Sequence, residues 1–79
     1  MSQRIIEESE LAAVAKKYRE AAGKTSAQAA REIGVARPTM HQAEDEPERS
    51  LSKLRKQIIE AYSDFEVIGP VYLLRKKEK

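Results

Sequence analysis

The sequence predicts a single, mainly helical domain over residues 1–79, with four helices followed by a short C-terminal strand segment. Up to Tyr62, apolar residues recur at spacings of three and four, which is the period of an amphipathic helix. Glycine, proline and capping residues divide this region into four stretches. From Phe65 onward, β-branched and aromatic residues replace that period and favour strands. A chain of 79 residues is expected to fold around a modest core.

The composition limits the classes of protein to which the chain can belong. It contains no cysteine, which excludes disulfides and zinc–thiolate sites. The net charge of +2 is a weak indication of an anionic partner. No apolar run approaches the roughly 20 residues that span a bilayer, and the acidic N-terminus is unlike a signal peptide. We therefore expect a protein of a reducing cytoplasm, with no membrane partner.

The first two helices are predicted from their caps and apolar stripes. The first is expected to begin with Ser9 as its N-cap and to end at Ala22, before Gly23. The second is expected over Ser26–Ile33, with Thr25 as its N-cap. The apolar stripe of the first helix consists of Leu11, Val14, Ala15, Tyr18 and Ala22.

The most informative segment is Ser26–Asp45, SAQAAREIGVARPTMHQAED, which has the spacing of a helix-turn-helix. The third helix of the chain runs from Arg37 to Ala43 or Glu44, with Pro38 in its first turn, where a missing N–H costs nothing. Gly34 lies where the backbone usually turns left-handed. The residues that would close a small core between the two helices are Ala29, Ala30, Ile33, Val35, Met40 and Ala43. The alternative is a plain helical hairpin without a ligand.

A polar, proline-containing loop over residues 45–50 is expected to follow the third helix. Ser50 is then expected to cap a fourth helix that ends near Tyr62. The apolar side of this helix consists of Leu51, Leu54, Ile58, Ala61 and Tyr62, with Ile59 beside it.

Residues 64–76 form the predicted strand segment. They read as two strands, Phe65–Ile68 and Val71–Arg75, or as one strand with a bulge at Gly69–Pro70. Apolar residues fall on both faces, and the helices can cover only one. One alternative is that Ile5–Ile6 pairs with this segment as a third strand within the monomer. We favour the other, in which a second subunit supplies the missing face or edge. The dimer contacts would then be Phe65, Val67, Ile68, Val71, Tyr72, Leu73 and Leu74.

From Leu11 to Tyr62 the chain resembles the Cro and phage-repressor class of DNA-binding proteins, the Xre family. The resemblance is carried by KTSAQAAREIGVARPTMHQAE followed by SLSKLRKQIIEAY. Members are usually small prokaryotic or phage repressors that bind operators as dimers, and Cro pairs its subunits through a C-terminal strand. The resemblance implies a four-helix, lambda-repressor-like domain with a Cro-like strand, in a protein of the prokaryotic cytoplasm or nucleoid. Ala29 and Ala36 depart from the family, which commonly has leucine and a capping serine or threonine there.

In this arrangement the third helix lies in the major groove, and its N-terminal half faces the bases. Arg37 can donate two hydrogen bonds to guanine, and Gln42 can pair in two ways with adenine. The predicted base-contacting residues are Arg37, Pro38, Thr39, His41 and Gln42. The alternatives are a surface ion pair of Arg37 with Glu32 or Glu44, and an ordinary exposed His41.

Phosphate contacts are expected at the start of the second helix, whose free N–H groups attract anions, and in the loop after the third helix. Such contacts set register and salt dependence rather than sequence preference. The predicted residues are Lys24, Thr25, Ser26, Gln28, Arg49, Ser50 and Lys53. The acidic residues beside the third helix must then point away from DNA, or they weaken the non-specific binding of the protein to DNA. They are Glu44, Asp45, Glu46 and Glu48.

These features predict a sequence-specific DNA-binding transcriptional regulator, most simply a repressor, that acts as a homodimer. The alternative is an antitoxin or phage accessory factor that uses the same scaffold to bind another protein, such as a toxin. Nothing in the sequence indicates catalysis, because the one histidine has no partner at helical spacing and the three glycines form no phosphate-binding loop. Neither a cofactor nor a metal is expected.

Overall fold

The computed structural model describes residues 3–68 and 72–77. The mainly helical class is confirmed, with four helices and short antiparallel strands at the C-terminal end. In chain order the elements are strand β1 (Gln3–Ile6), a 3-10 turn (Glu8–Glu10), helices α1 (Leu11–Ala21), α2 (Ser26–Ile33), α3 (Arg37–Asp45) and α4 (Ser52–Ala61), and strands β2 (Phe65–Ile68) and β3 (Tyr72–Lys76). Within the described residues, no helix is long and apolar enough to cross a membrane.

The two serine caps predicted from the sequence are wrong. Ser9 lies inside the 3-10 turn, where the Glu10 carboxylate accepts a hydrogen bond from the Glu7 N–H at 2.9 Å. At α4 the N-cap position is held by Leu51, not Ser50, and it makes no side-chain cap. Several serines and glutamates lie near each helix start, and all of them can accept from a backbone N–H, so local sequence does not rank them.

The turn between α2 and α3 follows the prediction closely. The Thr25 hydroxyl accepts from the Gln28 N–H at 3.1 Å, and the Gln28 side chain accepts from the Thr25 N–H at 2.9 Å, which is a complete capping box. Gly34 has φ +91°, and both its N–H and that of Val35 donate to the Ala30 carbonyl. The Thr25 cap and the left-handed Gly34 are therefore confirmed.

The core lies between the four helices and the inner face of the sheet. Each large apolar side chain removed from water there contributes about 1.5–3 kcal/mol before entropy is counted. The core consists of Ile6, Leu11, Val14, Ala15, Ala29, Ala30, Met40, Ala43, Leu54, Ile58, Ile59, Val67 and Leu74, with Tyr18, Ile33, Val35, Leu51, Tyr62 and Phe65 packed against it. Ala22 and Ala61, predicted on the apolar stripes, are exposed.

The sheet has β3 at its centre, antiparallel to β1 on one side and to β2 on the other. The third strand therefore comes from Ile5–Ile6 within the monomer, and the edge of β3 that we assigned to a second subunit is occupied by β1. The register places Leu73 opposite both Ile5 and Ile68 on the face turned away from the helices. We call these three positions the outer sheet face; Ile5 there is 73% exposed.

Several predicted dimer contacts lie elsewhere than expected. Val67 and Leu74 are buried in the core of their own chain, and Phe65 packs against it, so these three assignments are wrong. Ile68 is half-buried on the outer sheet face. The Gly69–Pro70 bulge and Val71 fall outside the described residues, and Tyr72 and Leu73 are described by their backbone register alone.

Candidate nucleic-acid interface

Helix α3 has one side in the core and one side directed outward. Its inner side is formed by Met40, Ala43 and Glu44, all buried. The predicted base-contacting residues lie on the other side or at its margin: Arg37, Pro38 and His41 are exposed, and Thr39 and Gln42 are half-buried. The period of the helix therefore places all five predicted side chains within reach of a molecule that docks on α3.

The N-terminal end of α3 is open. Ala36 occupies the N-cap position with an extended backbone, and no side chain caps the helix there. Arg37 makes no ion pair with the residues that the structure describes. The two carboxylates proposed as its partners are engaged elsewhere, because Glu44 bonds to Arg19 and Glu32 bonds to Lys24. The Arg37 guanidinium is thus left for an external ligand.

A buried ion pair holds α3 against α1. Arg19 Nε and Nη2 donate to the two Glu44 carboxylate oxygens at 2.6 and 2.9 Å, and these side chains are only 7% and 1% exposed. Arg19 Nη1 also donates to the Lys24 carbonyl at 2.6 Å, at the turn before α2. The hydrogen bond to Glu44 raises the pKa of Arg19. This one side chain therefore fixes both helices of the α2–α3 pair relative to α1.

Arg55 is a second buried arginine, only 1% exposed, and its partners are all backbone carbonyls. It donates to the carbonyls of Ala43 at 2.8 Å, Arg49 at 2.7 Å and Glu46 at 2.8 Å. Burial lowers the pKa of Arg55. The side chain joins the last turn of α3 to the loop that leads into α4.

Sequence reasoning missed both buried arginines and the inward orientation of Glu44. A usable signal existed, because Arg19 follows Ala15 by one helical turn, Glu44 follows Met40, and Arg55 follows Leu51. Each charged residue therefore lies in line with an apolar stripe. When two helices each carry a charged residue in line with their apolar stripes, and the two charges are opposite, a buried ion pair is expected.

At the start of α2, the predicted phosphate contacts are close together but partly engaged. The capping box occupies the Thr25 hydroxyl as an acceptor and the Gln28 carbonyl oxygen, which leaves the Gln28 amide NH₂ free to donate. The N–H groups of Ser26 and Ala27 have no partner within the helix, as at any helix start. This end of α2 can therefore donate to an anion.

Lys24, beside this helix start, is held by a carboxylate. Its ammonium donates to Glu32 at 2.8 Å, and the Tyr62 hydroxyl donates to the other Glu32 oxygen at 2.6 Å. These bonds, from Lys24 first and Tyr62 second, lower the pKa of Glu32. Burial, and then the bond to Glu32, raise the pKa of Tyr62 to about 12. Lys24 must exchange Glu32 for phosphate if it contacts DNA.

The loop after α3 brings its predicted phosphate contacts to the surface. Arg49, Ser50 and Lys53 are all exposed, and Arg49 Nε donates to Glu46 at 2.7 Å. The assignment of Lys53 to the loop is wrong, because α4 begins at Ser52 and Lys53 lies in its first turn. Of the acidic residues expected to point away, Glu44 does so, since it is buried against Arg19. Asp45 stays at the surface, 3.1 Å from Lys16 Nζ and 3.8 Å from His41 Nδ1. It lies four positions after His41 in α3, so the expectation that the histidine has no partner at helical spacing is wrong.

Comparison of the chain with protein-family models, with curated proteins and with solved structures finds no match in any of the three. The part of the chain that the structure describes holds no cluster of metal-ligating side chains. Function is therefore inferred from three surface features. These are the outer side of α3, the start of α2 and the loop between α3 and α4.

Proposed function

We propose that this protein is a sequence-specific DNA-binding regulator, acting as a repressor, in which α2 and α3 form a helix-turn-helix. One observation carries the proposal. The outer side of α3 presents Arg37, Pro38 and His41 to solvent, while its inner side is locked into the core by Met40, Ala43 and the buried Glu44. A rigid helix with free hydrogen-bonding side chains at its N-terminal half suits the major groove.

The proposed base contacts follow from side-chain chemistry. Arg37, without an acidic partner among the described residues, donates to guanine O6 and N7. Gln42 pairs with adenine, and each such bidentate contact provides about 1–3 kcal/mol of discrimination between bases. His41 donates to a base acceptor or a phosphate. Pro38 offers an apolar surface that can contact a thymine methyl group.

The proposed phosphate contacts lie on both sides of α3 along the chain. The N–H groups at the start of α2 donate from one side, together with Gln28 and Lys24. Arg49 and Ser50 donate from the loop on the other side, and Lys53 donates from the first turn of α4. These groups position α3 and make binding depend on salt, whereas the base preference comes from α3 itself.

A homodimer completes the proposal. Two copies of α3 about 34 Å apart contact successive major grooves of a palindromic operator. The outer sheet face is the surface we assign to the second copy, because Ile5 is 73% exposed there and its row continues through the Leu73 position to Ile68. Burial of this row is favourable at roughly 25 cal/mol per Å² of apolar surface.

Selection of bound sequences from random duplex DNA, followed by titration at several salt concentrations, tests the proposal. Arg37→Ala and Gln42→Ala should each relax preference at one position, whereas Lys53→Ala should weaken all sequences alike. Lys76→Ala, which removes an exposed lysine from β3, is the matched control and should leave binding unchanged. Failure to enrich any sequence, with no binding even at low salt, would rule out the proposal.

A second candidate function is a protein-interaction module such as an antitoxin, and the exposed Ile5 favours it. Ile5→Lys introduces a charge on the outer sheet face without entering the core. If the face joins two copies, the mass in solution should fall from dimer to monomer. A wild-type monomer whose capture of a co-expressed toxin is abolished by Ile5→Lys would instead favour the second candidate.

A further inference from the structure

We propose that Arg55 is a positioning residue for DNA binding, which holds loop 46–51 in the conformation that presents Arg49 and Ser50 to the phosphate backbone. The inference rests on the proposed function and adds a residue that does not itself touch DNA. Arg55 is the largest of the fully buried side chains in the described chain, so its role is exerted through the groups it bonds.

The first argument is the geometry of the guanidinium. Its Nε, Nη1 and Nη2 atoms donate separately to Ala43, Arg49 and Glu46, all within 2.7–2.8 Å. The three carbonyls belong to Ala43 in the last turn of α3, to Glu46 at the start of the loop and to Arg49 further along it. A planar fork with donors in fixed directions can satisfy three such acceptors at once. A lysine ammonium at the same place is a single point that cannot reach all three.

The second argument is that the loop has few other ties to the body of the protein. Its own backbone bonds are short-range, from the Arg49 N–H to Glu46 and from the Leu51 N–H to Arg49. The Glu46–Arg49 ion pair is exposed and also local. Leu51 packs against the core, but α4 begins without a side-chain cap. Arg55 bonds the carbonyls of Glu46 and Arg49, the same two oxygens that accept these short-range backbone bonds.

The third argument concerns charge. None of the hydrogen-bond partners of Arg55 in the described chain is a carboxylate. The Ala43 carbonyl lies in the last turn of α3, where the helix dipole is negative and stabilises a cation. A buried cation bonded only to carbonyls is costly as a packing element, because an apolar side chain of similar volume avoids the desolvation. A role in fixing backbone geometry beneath a surface that meets phosphates accounts for a charged side chain at this buried position.

A positioning role has a signature that a stabilising role lacks. If the loop loses its fixed shape, the phosphate contacts from Arg49 and Ser50 weaken, while Lys53 on α4 is unaffected and α3 keeps its base preference. The salt dependence of binding should therefore become shallower, since each lost phosphate contact from a cation, here Arg49 in each copy of the dimer, reduces the slope of log K against log salt by about 0.9. A residue that only stabilises the fold changes the fraction of protein that is folded. The folded molecules then bind DNA with the same slope of log K against log salt.

The experiment compares Arg55→Lys with Arg75→Lys, the same substitution at an exposed, ion-paired arginine on β3. Amide hydrogen exchange without DNA should show the Arg49 and Leu51 N–H groups exchanging about tenfold faster in Arg55→Lys, as expected from the loss of one ordinary hydrogen bond. With the selected operator, the magnitude of the salt slope should fall by about 1–2, with the base preference unchanged. Arg75→Lys should alter none of these quantities.

The two proposals fail in different ways. If wild-type protein binds no DNA, the proposed function fails, and the exchange measurement still reports on the loop. If wild-type protein binds but Arg55→Lys keeps the wild-type salt slope, the positioning role is overturned. If Arg55→Lys does not fold, Arg55→Met takes its place, because it keeps much of the side-chain volume without a buried charge and removes all three donors. An unchanged salt slope in Arg55→Met then overturns the inference, and a reduced one supports it.

Discussion

Replacement of Glu44 by glutamine tests whether the buried ion pair fixes α3. The substitution keeps the size of the side chain and one accepting oxygen, but removes the charge that faces Arg19. In the native chain Arg19 and Glu44 share bonds of 2.6 and 2.9 Å, and their side chains are 7% and 1% exposed. Arg19 then remains buried as a cation, with one bond to the Lys24 carbonyl, a weaker one to the amide and the exposed Glu20 carboxylate 3.9 Å away.

The expected cost follows from the burial of both partners. Removing one partner of a buried pair costs about 3–5 kcal/mol, because the other charge is left uncompensated. The retained amide oxygen places Glu44→Gln at the lower end, about 3 kcal/mol. A domain of this size is stable by about 4–12 kcal/mol in total. The variant should therefore melt some 12–24 °C lower, since 1 kcal/mol corresponds to about 4–8 °C in so small a domain.

The chain contains a matched control for this measurement. Arg75 and Glu66 form the same kind of pair at 2.6 Å, but their side chains are 45% and 39% exposed. Urea unfolding followed by circular dichroism should give a loss of less than about 1 kcal/mol for Glu66→Gln. Equal losses for Glu44→Gln and Glu66→Gln, with equal m-values, would refute the reasoning that burial makes the Arg19–Glu44 pair essential.

Three further outcomes are expected. Thr25→Ala should lose about 1 kcal/mol in urea unfolding, because it removes the hydroxyl that accepts from Gln28 at the start of α2; a change near zero would contradict this. Gly34→Ala should cost roughly 1–2 kcal/mol from backbone strain alone, since φ is +91° and an added Cβ meets nothing within 4 Å. Tyr62 contributes stability that is present below pH 10, the ordinary tyrosine value, and is lost as the pH rises to its folded pKa of about 12. In alkaline unfolding, Tyr62→Phe should therefore lack this loss, and an unchanged pH profile would count against the bond to Glu32.

Features set by neighbouring residues were predicted well from the sequence. The bounds of α2, the Thr25 cap and the left-handed Gly34 agree with the structure, because each depends on a local rule about one side chain or one φ angle. Burial of Met40 and Ala43 followed from the helical period. The exposed face of α3 is the complement of that buried stripe, so the candidate base contacts could also be placed from sequence.

Features that join distant parts of the chain were predicted poorly. Arg19 and Glu44 are 25 positions apart. Each lies in line with an apolar stripe, but a charged residue is normally assigned to the surface, and nothing local shows which distant charge is its partner. From the sequence, β1 is only one of two alternatives. Two isoleucines near the N-terminus do not show whether the strand that pairs with residues 64–76 belongs to the same chain or to another subunit. The misassigned dimer contacts Val67 and Leu74 follow from that choice, because the inner face of the sheet was not identified.

The order of strands in the sheet has a consequence for synthesis on the ribosome. β1 is made first but hydrogen-bonds only to β3, the last strand of the described chain. All four helices can emerge and begin to pack while Ile6 still lacks the neighbour that seals it inside. Long-range pairing of this kind forms late, since a large loop must close before any contact repays it. A translational pause after α4 therefore leaves a nascent helical body with its first strand unpaired.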